Sequence, residues 1–241
     1  MTFRWKIAQA AEIRWWQRYL KNKPTTDYAD WKTDYWEKLL AEIGLSELNN
    51  ASNTEGGKDF GFEVSDFGNA PTYNSSNPKS ILDAGCGPAG IFMIFKKQKV
   101  DALDPLLDGY EASLPHFKKS FYPNVQFFSQ PLESFDKQNV YDAVFCLNAI
   151  NHVADLAKCF DVLVAAAKVG GKLIVSIDAH NFPALKHIFQ ALPGDVLHPH
   201  QYDLAEYSAM LTERGCTIEK TILKKKEFIF NYYVLVATKN A

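Results

Sequence analysis

In the stretch ILDAGCGPAG, Gly85, Gly87 and Gly90 fall at the spacing G-x-G-x-x-G behind a short apolar run, and Asp83 stands two residues before the first glycine. Glycines so spaced let a backbone turn tightly and approach a nucleotide at the start of a helix. The acid narrows which nucleotide that can be. A pyrophosphate beside Asp83 meets like charge in a poorly screened site, whereas a cationic ligand is attracted there. A second acid, Asp104, ends the next apolar run, 104 − 83 = 21 residues further on, where a carboxylate can accept both hydroxyls of a ribose. Histidines supply the groups that titrate near neutral pH. His180, His187, His198 and His200 are four of the chain's six, all between residues 178 and 203. His198 and His200 flank Pro199, which favours an extended backbone and so turns both to one side. An H-x-H pair with no third ligand is a weak metal signal, and no metal is assigned.

These residues need elements to hold them. From residue 79 onward short apolar runs alternate with helical stretches, the rhythm of a parallel sheet wound with helices. Strands are expected near 80–83, 100–104, 125–128, 141–147 and 172–177, and helices near 88–97, 107–117 and 154–168, the last ended by Gly170 and Gly171. His152 is placed to begin that last helix as a cap. Asp203 with Glu206 forms a capping-box pattern opening a further helix. The segments CTIEKTIL and FIFNYYVLVATK, joined by the charged KKKE as a solvated turn, must pair antiparallel. Upstream, Phe3, Ile7, Ala11, Trp15 and Tyr19 recur every fourth residue, an amphipathic helix interrupted at Pro24. A second helix is expected over 27–43, with an apolar stripe of Trp31, Tyr35, Trp36, Leu39, Leu40 and Ile43 and Gly44 as its C-terminal cap. Residues 49–78, rich in Asn, Ser and Gly, read as an irregular linker.

The chain's 26 basic and 28 acidic residues give a net charge of −2 with mixed signs, which provides no field for nucleic acid or an anionic membrane. Cys86, Cys146, Cys159 and Cys216 are too far apart in sequence for a metal or redox motif and read as reduced thiols. The first twenty residues carry charges at Arg4, Lys6, Glu12 and Arg14, so neither a signal peptide nor a membrane span is expected there. A cytoplasmic protein with a diffusible small-molecule partner is the expectation, its oligomeric state open.

Two nucleotide cofactors suit the glycine loop. S-adenosylmethionine has no phosphate but carries a sulfonium and an ammonium, which favours it over a dinucleotide at Asp83. The terminal antiparallel pair is also not the usual continuation of a dinucleotide-binding half. At this point ILDAGCGPAG, VDALDPL, VQFFSQPLESF, YDAVFCLNAINHV and VGGKLIVSI, in that order, resemble a class I S-adenosylmethionine-dependent methyltransferase, nearest to the branch acting on small molecules. The resemblance implies an α/β, doubly wound, seven-stranded and mostly parallel sheet with an antiparallel last strand. A Rossmann-like domain over 79–241 would carry a helical cap or lid over 1–48.

It further implies that Asp83, Gly85, Cys86 and Gly87 line the methionine end, that Asp104 holds the ribose, and that Pro105 and Leu106 pack against the adenine. Asn148 would face the methionine moiety. Pro131 stands where many members place an acid for the adenine amino group, leaving that contact to Gln130, to the Leu132 backbone or to water. LNAINHV stands where an Asn-Pro-Pro type of sequence serves amino groups of nucleobases, so a small organic acceptor is expected. His152, His180, His198 and His200 are the candidates to orient or deprotonate it. A nicotinamide-dependent oxidoreductase and a nucleotide-binding module without catalysis are the rival readings.

Overall fold

A computed structural model describes residues 3–49, 79–181 and 202–241. The apolar runs form seven strands: β1 (Ser80–Ala84), β2 (Lys99–Leu103), β3 (Val125–Phe128), β4 (Tyr141–Cys146), β5 (Ala167–His180), β6 (Cys216–Lys226) and β7 (Phe230–Lys239). They make one sheet in the order β3-β2-β1-β4-β5-β7-β6. Strands β1 to β5 pair parallel, and β7 runs antiparallel to both its neighbours. β1 and β4 are buried on both faces, which is why they read as near-continuous apolar runs. Strand order reverses between these two, so the loops leaving their carboxyl ends face each other across a crevice.

One face of the sheet is covered by α4 (Leu156–Ala166) and α5 (Leu204–Thr212), through Phe160, Leu163, Tyr207 and Leu211. Both helices start on a side-chain cap. Asp155 accepts from the Lys158 amide at 3.0 Å, and Asp203 and Glu206 form the expected reciprocal box. Since Asp155 caps α4, His152 does not; it ends a short 3-10 turn, Ile150–His152.

The opposite face departs from the sequence expectation. In place of a helix over 88–97 there is one 3-10 turn, Ile91–Ile94, whose four side chains are all buried. An apolar run with no polar side cannot sit as a surface helix, and its short span leads straight into β2. The layer is completed instead by α1 (Phe3–Leu20), α2 (Thr25–Ile43) and the short α3 (Leu107–Ser113). Trp36, Leu39, Leu40 and Ile43 of α2 share one core with Ile81, Val100, Phe145, Val234 and Val236 of the sheet. The Trp36 indole donates to the Ala89 carbonyl at 3.1 Å, and the Lys220 ammonium of β6 donates to Ile43 O at 2.8 Å. The second contact places a cation at the negative end of the helix. Gly44, at φ 77°, closes α2 as expected.

α1 packs with Ile13, Trp16, Tyr19 and Leu20, of which Tyr19 belongs to the expected stripe, and leaves Trp15 of that stripe 53 % exposed, stacked on Tyr19. Aromatic residues on more than one side of this helix make both stripes apolar. At the C-terminal hairpin, β6 runs through Lys224–Lys226, so these lysines lie in the strand and not in the turn. They are kept there by ion pairs from Lys224 to Glu42 and from Lys225 to Glu227. β5 likewise begins at Ala167, with a register shift that takes in Gly170 and Gly171.

Since α2 is a layer of the core and not a flap laid on a finished domain, Leu40→Ala is expected to lower unfolding free energy by about 2–5 kcal/mol, as for any large-to-small core change. Urea denaturation measures this; a loss below about 1 kcal/mol would contradict the shared core.

Candidate functional site

The crevice at the carboxyl ends of β1, β2 and β4 opens into a cavity of about 390 Å³, within the range of small-molecule sites. Its floor is the loop after β1. Gly85 has φ 71°, and a Cβ there would lie 2.2 Å from the Ala149 Cβ, so only glycine fits where this loop meets the one after β4. Gly87, at φ 57°, has nothing within 4 Å of its Cβ position and presents bare backbone to the cavity. The amides of Gly85 and Cys86 both donate to Leu103 O, at 2.7 and 3.1 Å, tying this loop to the end of β2.

Two carboxylates hold the loops from below. Asp83, 2 % exposed, accepts from the Phe92 amide at 2.9 Å. Asp104, 8 % exposed, accepts from Gly87 N at 3.0 Å and Leu106 N at 2.8 Å. Asp83 therefore performs the structural task of capping a turn and lines the cavity as well. Burial pushes both carboxyls up to about 7 against the lowering effect of these amide donors; Asp104 adds to the rise at Asp83, and Glu12 to that at Asp104. Each Asp104 oxygen keeps acceptor capacity beyond its one amide partner. Burial, with Asp83 and Asp104 adding to it, holds the Cys86 thiol well above the ordinary cysteine range and removes it as a nucleophile.

Around this floor stand Pro105 and Leu106 after β2, Pro131, Leu132 and Glu133 after β3, and Asn148 and His152 after β4. Asn148 adopts φ 55°, and its amide donates to the Ser176 hydroxyl at 2.7 Å. Eleven of the residues expected from the sequence thus share one cavity: Asp83, Gly85, Cys86, Gly87, Asp104, Pro105, Leu106, Pro131, Leu132, Asn148 and His152.

Two others do not line it. Gln130 turns its amide to Ser134 O at 3.4 Å, inside its own turn. His180 is buried in the β5–β7 ladder opposite Phe230, because β5 extends past the expected end at 177; the two rings lie 4.4 Å apart. His187, His198 and His200 lie outside the described residues, as does nearly all of the 49–78 linker.

Sequence reasoning missed individual cap residues. Gln9, Glu12, Trp16, Lys32 and Trp36 form the roof of the cavity. Glu12 is fixed by the Tyr110 hydroxyl, which donates to it at 2.6 Å. The available signal was WKTDYW, where Lys32 interrupts an aromatic stripe four residues before Trp36. Glu133 was also missed; it accepts from the Ala154 and Asp155 amides at 2.8 and 3.2 Å, so the turn after β3 braces the entrance to α4.

The raised carboxyls make a pH prediction. A folded-state value above the unfolded one means that the native state holds extra protons between about pH 4 and 7, so these groups' contribution falls as pH rises through that window. Asp83→Asn stays neutral, and its stability relative to wild type should therefore improve from pH 5 to 8 by on the order of 1 kcal/mol or more. Urea titrations at both pH values giving a constant difference would contradict the buried-acid account.

A family model described as a methyltransferase domain matches residues 62–221. Among curated proteins, the ubiquinone biosynthesis O-methyltransferase of Rickettsia prowazekii is 30 % identical over 106 residues, 43 % of this chain and 42 % of that protein. The Rickettsia felis enzyme of the same name is also 30 % identical, over 43 % of each chain, so the match spans about two fifths of these relatives' length. Solved structures with the same fold include a SAM-dependent methyltransferase of Methanosarcina mazei, with TM-score 0.52, 16 % identity and coverage of 68 % of this chain and 94 % of that one. The 1,6-didemethyltoxoflavin-N1-methyltransferase of Burkholderia thailandensis, solved with S-adenosylhomocysteine, has TM-score 0.50 and 15 % identity over 68 % of this chain and 72 % of that one. No described helix is long and apolar enough to cross a membrane. With a matched family model over most of its length, a reversed-order seven-stranded sheet and an acid-floored glycine loop at the switch point, the chain belongs to the methyltransferase-domain family of S-adenosylmethionine-dependent enzymes.

Proposed function

We propose that the protein methylates a small organic acceptor held between the glycine loop and the helical cap. The observation that carries this reading is the single cavity with two chemically different walls: acids and bare glycine backbone below, aromatic side chains of α1 and α2 above. S-adenosylmethionine supplies an electrophilic methyl group on a sulfonium. Asp83 and the Gly85–Gly87 backbone would hold the cofactor's methionine end, and Asp104 the ribose through its remaining acceptor capacity. Pro105, Leu106 and Leu132 would pack on the adenine, with Asn148 beside the reaction centre. The four acids on the cavity wall, Glu12, Asp83, Asp104 and Glu133, oppose a pyrophosphate and so disfavour a nicotinamide dinucleotide.

The chemistry asked of the chain is mainly alignment, which can supply roughly 7–11 kcal/mol when near-attack geometry is held. Trp16 and Trp36 offer flat apolar surface for the acceptor, and the cap that stands over it shields it from water. The name of the Rickettsia relatives favours oxygen as the atom methylated. A hydroxyl acceptor must lose its proton, and His152, the described histidine on this cavity, is the group we assign to take it.

Methyl transfer from S-adenosylmethionine to a panel of hydroxylated aromatic compounds tests the reading. Turnover of at least one is expected, with no reduction or oxidation supported by NAD. His152→Gln should lower kcat about 10²- to 10⁴-fold while leaving cofactor affinity unchanged. Full turnover in the variant would remove histidine chemistry and leave alignment alone, and NAD binding without S-adenosylmethionine binding would overturn the function.

A further inference from the structure

The cavity's ceiling carries a cation that has no counter-ion among the described residues. Lys32 of α2 lines the cavity, and its ammonium lies 5.0 Å from the ring centre of Trp36 and 5.3 Å from those of Trp31 and Tyr35. It forms no ion pair with any described residue. Ring faces attract a cation but do not neutralise it, and an unpaired charge removed from water is costly. Burial alone accounts for the lowering of its ammonium to about 8. No neighbouring carboxylate contributes to that shift, although Glu12, Asp83, Asp104 and Glu133 share the cavity, together with His152. None of those acids forms an ion pair with it. They also make the cavity hostile to a multiply charged anion such as a phosphate.

Resting on the methyltransferase reading, we infer that Lys32 is the counter-ion for a singly charged organic carboxylate that enters the cavity with a ligand. A flexible lysine stem placed among rings presents its charge at the inner face of the cap, and a charge-assisted bond to a carboxylate completes its coordination. Two ligands can deliver that group. The cofactor's methionine moiety carries one, and Trp36 links this helix to Ala89 beside the glycine loop where that moiety would lie. An aromatic acid as acceptor would carry the other, its flat body against Trp16 and Trp36.

Titration calorimetry with wild type, Lys32→Met and Lys32→Arg separates these sources. Methionine keeps the stem and its packing while removing the charge, and arginine restores the charge; thermal melts confirm that each variant is folded. The probes are S-adenosylhomocysteine against 5′-methylthioadenosine, which lacks the amino-acid moiety, and then 2-naphthoate against 2-naphthamide on the S-adenosylhomocysteine complex. Loss of a charge-assisted bond predicts about tenfold to hundredfold weaker binding of the carboxylate member of one pair in Lys32→Met, no change for its neutral partner, and recovery in Lys32→Arg. An effect on S-adenosylhomocysteine assigns Lys32 to the cofactor, and an effect on the naphthoate alone assigns it to the acceptor. Equal affinities for both pairs in wild type and Lys32→Met would overturn the inference. Failure of wild type to bind S-adenosylhomocysteine or methylthioadenosine would instead overturn the methyltransferase reading on which it stands.

Discussion

The site depends on carboxylates buried where backbone amides need acceptors. Asp104 receives the Gly87 and Leu106 amides, one from the loop after β1 and one from the loop after β2, and so fixes the two loops relative to each other. Asp83 does the same for the turn that follows the glycines, through Phe92. Removing charged oxygens from water is expensive, and the upward displacement of both carboxyls records that cost. A cationic ligand at the floor would offset it.

The second constraint comes from the missing helix after β1. A buried 3-10 turn cannot cover the sheet face that a full helix would, and α1 and α2 supply the cover. Their inner surface consequently belongs to the core at one end and to the cavity at the other. Trp36 shows both aspects: it is buried in the shared core, donates to Ala89 O, and lines the cavity. The lining of the cavity and the stability of the fold thus draw on the same helix. Changes to the cap's inner face are coupled to both properties, in contrast to changes in a loop.

Much of the sheet was legible because buried parallel strands are short apolar runs with acids and glycines at their ends. Asp83, Asp104 and the 203–206 capping box could be located from spacing alone. Helix versus turn over 88–97 was not legible, since a run buried on all sides carries no periodicity. The packed side of α1 was read only in part, Tyr19 but not Trp16 or Leu20, for the opposite reason, a helix with aromatic residues on several sides. His180 was misjudged through a strand end: three more residues of β5 carried it into the ladder and away from the cavity. Lys32 went unassigned because its role arises from tertiary placement over a cavity formed by distant segments.

A crystal structure of the protein with S-adenosylhomocysteine shows whether one cavity between the acid-floored loop and the cap has room for cofactor and acceptor together. The nucleoside is expected beside Asp104 and Leu132, the homocysteine sulfur near Asn148, and open space from that sulfur toward Trp16, Trp36 and His152. A ligand bound outside this cavity, or one whose sulfur faces away from the cap, would contradict it.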